Sequence, residues 1–294
     1  MAERRRLLII GAGGRLGAAL VRECAAEFDV AGFSHAQLDI GDAASVRECV
    51  GAMRFDCMIN CAAQTNVDRC ETEREEAFAL NAEAPRVLAE MCAAKSAKLI
   101  HISTDYVFDG DKTEPYSETD APRPISVYGE SKLEGERAVL EVGSRNVVAR
   151  VSWVFGPDRP SFIDAVIRRA RDEENVEAVA DKFSAPTYTL DLAGMLRPFI
   201  AEEKLSGLFH LSNSGACSWQ AYAQWAIDCC RAQGLAMKAS HVGATSLGEM
   251  KGFVARRPVY TVLSSEKFSA LTKVIPRSWQ DAVQEYVRTH YANA

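Results

Sequence analysis

Leu7-Leu8-Ile9-Ile10-Gly11-Ala12-Gly13-Gly14-Arg15-Leu16-Gly17 decides how this chain is read. The short apolar run predicts a strand buried on both faces. Beyond the glycines, Leu16, Ala19, Leu20 and Cys24 recur at helical spacing as far as about Phe28. The order is therefore strand, glycine turn, helix. Glycines let the backbone turn tightly and approach a pyrophosphate, and the helix N-terminus beside them offers unpaired N–H groups to it. Gly11, Gly14 and Gly17 have the GxxGxxG spacing, a variant of the dinucleotide fingerprint, with Arg15 and Leu16 in the same turn. Arg4, Arg5 and Arg6 stand in front of this run, but it is too short for an export signal.

Outward from that turn, strands and helices alternate. Residues 29–33 predict the second strand, followed by Ser34 and His35. A carboxylate there selects NAD through the ribose 2′-hydroxyl, whereas a basic residue accommodates a 2′-phosphate. Ser34 and His35 supply no carboxylate and favour NADPH, with NADH as the second choice. Asp39 and Ile40 follow and are counted with the cofactor residues. A helix capped by Asp42 or Ser45 runs to about Met53, and residues 56–61 form the next buried strand. It ends in Cys61, Ala62 and Ala63, small residues suited to close passage over a cofactor at a strand's carboxyl end. Residues 71–95 read as one long helix, with Asn81 at a position expected to be exposed.

The run Leu99-Ile100-His101-Ile102 feeds into Ser103-Thr104-Asp105-Tyr106-Val107-Phe108-Asp109-Gly110, and Tyr128-Gly129-Glu130-Ser131-Lys132 lies further on. A tyrosine and a lysine at i and i+4 share one face of a helix. A phenol titrates near ~10 and a neighbouring cation lowers that value, which makes the proton available at neutral pH. Thr104, at the end of the preceding strand, can donate a hydrogen bond to the same substrate oxygen.

Strand and helix continue to alternate through residues 146–151, which implies a parallel sheet covered on both faces. After Ser152 the pattern loosens. Residues 153–157 read as a loop, 162–171 as a helix, 176–179 as a short strand, 190–203 as a helix and 207–212 as a strand. Ser218 caps a helix rich in aromatic residues, Arg257-Pro258 sits in a loop, and 279–291 makes the last helix. The expected fold is α/β, a Rossmann-type doubly wound parallel sheet in residues 1–152 completed by part of 180–205. Residues 153–294 form mainly a smaller mixed α/β substrate domain.

The 294 residues are 48% hydrophobic and 25% charged, as in a globular protein with a sizeable core. A net charge of -6 argues against nucleic acid as a partner. No segment reaches the roughly 18 consecutive apolar residues of a membrane span. Nine cysteines without Cys-x-x-Cys or zinc spacing read as thiols in a reducing compartment, hence the cytoplasm, and supply no metal site.

Together the glycine turn, the Ser103–Gly110 segment and Tyr128-Gly129-Glu130-Ser131-Lys132 resemble the extended short-chain dehydrogenase/reductases, and more narrowly the dTDP-4-dehydrorhamnose reductase family. Asn60-Cys61-Ala62-Ala63-Gln64-Thr65-Asn66-Val67-Asp68 and Val151-Ser152-Trp153-Val154-Phe155 extend the match over nearly the whole chain. The resemblance implies hydride transfer from NADPH to the C4 ketone of a nucleotide-linked 6-deoxy-4-ketohexose. It makes Tyr128 the proton donor, Lys132 the residue that holds the nicotinamide ribose, and Thr104 the group that polarises the ketone. It assigns Asp105, Tyr106, Trp153 and Arg257 to the substrate and gives Asn81 a helix position that supports a proton relay in the wider superfamily. A nucleotide-sugar substrate and a homodimer are compatible with it. The segment after Arg257-Pro258, Val259-Tyr260-Thr261-Val262-Leu263, departs from the family's pattern, as does His35 at a position where the family often has a basic residue. Two alternatives stay open: a nucleotide-sugar epimerase or dehydratase, and a non-catalytic regulatory subunit resembling the beta subunit of methionine adenosyltransferase.

Overall fold

The computed structural model describes residues 4–291. Six parallel strands form the central sheet in the order Gly207–His210, Val147–Val151, Lys98–Thr104, Cys57–Asn60, Arg6–Ile10, Asp29–Phe33. The continuous apolar runs explain why these strands lie in the middle. Leu7, Ile9, Cys57, Ile59, Ile100, Val147 and Ala149 face one layer of helices, built from Arg15–Cys24 and Thr189–Ala201. Leu8, Ile10, Met58, Leu99 and Val148 face the other, built from Ala43–Ala52, Ala84–Ala94 and Val127–Val142. Alternate residues of each strand thus enter opposite cores, as a sheet covered on both sides requires. The chain leaves Arg6–Ile10 toward Asp29–Phe33 on one side and later returns to Cys57–Asn60 on the other. Such a reversal opens a crevice beyond the carboxyl ends of the strands.

The second half of the chain is interleaved with the first. Helix Thr189–Ala201 and strand Gly207–His210 return to the sheet. Helices Phe162–Asp172, Trp219–Ala232 and Trp279–His290 pack on one another through Ile163, Tyr222, Trp279 and Tyr286 beside the crevice. A parallel pair, Val176–Val179 with Val242–Thr245, completes this layer.

Two expectations are corrected. Residues 153–157 are not all loop, because Val154–Phe155 pairs with Thr187–Tyr188. Residues 71–95 are not one helix. Val67–Thr72 is capped by the Asn66 side chain, Arg74–Phe78 begins after a break at Glu73, and the five residues Ala79–Glu83 form a π-helical turn before Ala84–Ala94. Pro85 explains the turn: it has no N–H for the carbonyl of Asn81, and its ring crowds that carbonyl in a regular helix.

Candidate active site

A cleft of about 910 Å³ opens where the strands end. One wall is the glycine turn. Gly11 has φ +82°, and a side chain there would sit 2.8 Å from the Ala62 backbone nitrogen. Gly17 lies behind the wall. A Cβ on it would meet the Gly11 carbonyl at 2.2 Å, so its missing side chain seats the helix on the turn. Gly14 is the helix N-cap and brings no side-chain hydrogen bond to the first turn, which leaves the N–H groups there open to an anion.

Gly11, Gly14, Arg15, Leu16, Ser34, His35, Ile40, Cys61, Ala62 and Ala63 all reach the cleft, as do Thr104, Asp105, Tyr106, Tyr128, Lys132 and Trp153. Asp39 and Arg257 do not border it. The Asp39 carboxylate turns back to accept the Gly41 N–H at 2.9 Å, and Arg257 is held by Asp68. Arg15 borders the cleft with its guanidinium already engaged, donating to the carbonyls of Val154, Arg159 and Pro160. It ties the first helix to the loop of the second layer, and burial pushes its pKa down. The Ser34 hydroxyl donates to Gln37 at 2.8 Å, whereas His35 projects into solvent with its side chain 85% exposed.

At the other end of the cleft, Tyr128 and Lys132 share a face of the Val127–Val142 helix, opposite Thr104 at the end of Lys98–Thr104. Burial raises the phenol of Tyr128 above its ordinary value. The side-chain hydrogen bond with Thr104 pulls in the other direction, and the charge of Asp105 adds to the rise. From the i, i+4 spacing, Lys132 is expected to lower that phenol. Here burial prevails, and the lysine Nζ turns away to the Ile102 carbonyl at 2.7 Å and to His101 Nε2 at 3.3 Å. Burial pushes Lys132 itself down to about 8. Asp105 is a buried hub: its carboxylate accepts from the hydroxyls of Thr104 at 3.1 Å, Ser152 at 3.0 Å, Ser184 at 3.2 Å and Thr261 at 2.5 Å. Trp153 adopts φ +40° at the cleft wall.

Three further residues have a place here that their local sequence does not show. Asn81, expected to be exposed, is fully buried. Its amide accepts from Gln64 N at 2.9 Å and donates to Gln64 O and Ser131 Oγ, both at 3.0 Å. Its neighbour Pro85 was the signal in the sequence. Arg159 borders the cleft and donates from Nε to the Gly13 carbonyl at 2.9 Å. Lys182 is buried beneath Tyr106, 5.0 Å from the ring centre, and donates to the Pro258 carbonyl at 2.5 Å. No local pattern marks either position. Among the described residues no cluster of His, Cys, Asp and Glu could hold a metal ion, and no helix is long and apolar enough to cross a membrane.

A doubly wound parallel sheet, a glycine turn at its crevice and a Thr-Tyr-Lys set at the crevice mouth define an extended short-chain dehydrogenase/reductase. The chain belongs, within that class, to the dTDP-4-dehydrorhamnose reductase family: the family model described as the RmlD substrate binding domain matches residues 5–292. It is 39% identical over 288 residues to a dTDP-4-dehydrorhamnose reductase of Mycolicibacterium smegmatis, covering 96% of this chain and 85% of that one. It is 33% identical over 284 residues to the spore coat polysaccharide biosynthesis protein SpsK of Bacillus subtilis, covering 96% and 97%. The crystal structure of dTDP-4-dehydrorhamnose reductase from Bacillus anthracis in complex with NADP superposes with a TM-score of 0.92 at 34% identity, over 97% of this chain and 99% of that one.

Proposed function

We propose that this chain uses NADPH to reduce the C4 ketone of dTDP-4-dehydro-6-deoxy-L-mannose to dTDP-L-rhamnose. The observation that carries the reading is the convergence of Thr104, Tyr128 and Lys132 on the cleft that also holds the glycine turn. The cleft's residues fit the cofactor. Gly11 and Gly14 leave room for backbone approach, the open N–H groups after Gly14 suit a pyrophosphate, and Ser34 and His35 lie where a 2′-phosphate is read.

Bound NADPH supplies the hydride that C4 receives. Tyr128 gives its phenolic proton to the ketone oxygen, so ketone, hydride and proton make the alcohol. Thr104 steadies that oxygen with its hydroxyl hydrogen, which in the free protein goes to Asp105. Lys132, on the same helix face as Tyr128, would hold the nicotinamide ribose. Tyr106 and Trp153 form the sugar wall, with Lys182 beneath both rings. Nine free thiols support a reducing compartment, the cytoplasm, as the place of the reaction.

The test follows absorbance of the reduced nicotinamide as the 4-keto sugar nucleotide is added, first with NADPH and then with NADH. Oxidation that is faster with NADPH is expected. A flat trace from protein that demonstrably binds NADPH overturns the reading and favours a regulatory role.

A further inference from the structure

Tyr106 and Trp153 border the cleft, and against both rings lies a cation that the reaction as described does not use. Lys182 is fully buried and does not border the cleft itself. Its backbone is fixed beside the 255–262 loop: the Phe183 N–H donates to the Val259 carbonyl at 2.7 Å, and the Thr261 N–H donates to the Phe183 carbonyl at 2.9 Å. Lys182 Nζ donates to the Pro258 carbonyl at 2.5 Å and stands 5.0 Å from the ring centre of Tyr106 and 6.0 Å from that of Trp153. An ammonium has three hydrogens. Among the described residues the Pro258 carbonyl is the one hydrogen-bond acceptor that Nζ reaches, so the two ring faces take up the rest of its charge. An uncharged side chain of the same length would fill this space without the cost of burying an ion, and the charge therefore calls for a role.

The two rings need holding. Trp153 has φ +40°, a backbone conformation that a bulky residue keeps only where its surroundings impose it. Tyr106 meets the Tyr128 ring edge-on with centres 5.6 Å apart, so a displaced Tyr106 would disturb the surroundings of the acid. Among the described residues no ring contact joins Tyr106 to Trp153, and Lys182 is the neighbour they share. We propose that Lys182 is a positioning residue of the sugar site: its ammonium, tethered to the Pro258 carbonyl, binds the Tyr106 and Trp153 rings from behind and fixes the wall against which the sugar rests. The assignment of that wall to the sugar rests on the reductase reading.

The charges around Lys182 decide when its ammonium exists. Burial lowers Lys182 to about 8; Asp105, in the turn that carries Tyr106, works against that fall, and Arg257, in the loop, works with it. The Asp105 carboxylate is held in place by the hydroxyls of Thr104, Ser152, Ser184 and Thr261. Arg257 is paired with Asp68 at 2.7 Å. Tyr106 keeps its proton throughout, because burial raises its phenol above the ordinary value. The cation is therefore present at neutral pH and is lost as pH rises through about 8. A wall that depends on it loosens over the same range.

Lys182→Met keeps the length of the side chain and removes the charge. In reduction of the 4-keto sugar nucleotide with NADPH at pH 7, KM for the sugar nucleotide should rise about tenfold, with kcat and NADPH affinity within about threefold, since the wall holds the sugar equally before and during hydride transfer. Lys182→Gln, which keeps a donor for Pro258 without the charge, should show the same rise. A second measurement needs no substrate. The indole N–H signal of Trp153, assigned by its loss in Trp153→Phe, should move with a midpoint at about pH 8 in the native protein and stay still in Lys182→Met. Lys132 also titrates at about 8 but is present in both proteins, and Trp225, whose indole donates to the Gln280 carbonyl at 3.1 Å, serves as the control signal. An unchanged sugar KM in Lys182→Met, a native KM in Lys182→Gln, or a Trp153 signal that does not titrate in the native protein overturns the proposal. The last two outcomes are readable even where Lys182→Met does not fold. A native chain that leaves the 4-keto sugar untouched overturns the reductase reading instead, and the indole titration still decides whether Lys182 holds the wall.

Discussion

Arg257 grips Asp68 with both terminal nitrogens, at 2.7 and 2.9 Å, across the gap between the segment after the third strand and the loop ahead of Thr261. The same carboxylate accepts the N–H groups of Val254 at 2.8 Å and Ala255 at 2.9 Å. The resemblance places Arg257 on the substrate; in the free protein it stacks on Phe253, 3.9 Å from the ring centre, and pins the loop whose Pro258 carbonyl receives Lys182.

This pair makes stability depend on acid. Hydrogen bonds from Arg257 hold Asp68 down at about 2, against an ordinary value near 4. A carboxyl depressed in the folded state contributes stability that is complete above the unfolded value and is lost as pH falls through the folded one. Partial solvent screening leaves a contribution of about 1 kcal/mol. Urea midpoints of the native chain and of Asp68→Asn should differ at pH 7 and converge between about pH 4 and 2. A difference unchanged at pH 2 removes the pair from this role.

Tyr128→Phe removes the transferable proton and little else. Turnover should fall by about 10² to 10⁴ while NADPH affinity, measured by fluorescence titration, stays within a few-fold. Equal losses in binding and turnover would point to a disturbed fold rather than a missing acid.

Thr104→Val keeps the shape and removes a hydroxyl that serves Asp105 and receives the Tyr106 N–H. Loss of one donor to a developing alkoxide costs about 10² in kcat. Here KM should also rise, because Tyr106 loses its backbone anchor beside the sugar wall. A change confined to KM would assign Thr104 to ground-state binding.

Much of this was legible from the sequence because the relevant signals are local. Apolar runs of strand length, glycines at fixed spacing and an i, i+4 tyrosine and lysine each encode structure within a few residues. Asn81 shows where locality ends. An asparagine inside a helical pattern reads as exposed, yet Asn81 bridges Gln64 and Ser131, residues distant in the chain, and needs the π-turn created before Pro85 to reach them. The ion pair of Arg257 is hidden for the related reason that a surface loop reveals nothing of its partner. Asp68 lies far away in sequence, and only the fold opposes them. Lys182 is hidden likewise, a cation among aromatic rings contributed by other segments.

The same π-turn leads to a prediction with a sign opposite to the usual one. Glycine inside a helix is ordinarily a weakness, and replacing it with alanine adds up to about 1 kcal/mol of stability. Gly194, inside helix Thr189–Ala201, fits that rule, since a Cβ there meets nothing within 4 Å. Gly135, inside Val127–Val142, does not. A Cβ there would lie 2.1 Å from the Asn81 carbonyl, which is backbone and cannot swing aside. Accommodating it means parting the two helices that hold Tyr128 and Asn81, and overpacking of that kind costs about 1 to 3 kcal/mol. Thermal unfolding should therefore separate the two substitutions: Gly194→Ala raises the midpoint, whereas Gly135→Ala lowers it by several degrees. If both raise it, the close approach of the Gly135 helix to the Asn81 turn is not a constraint on this fold.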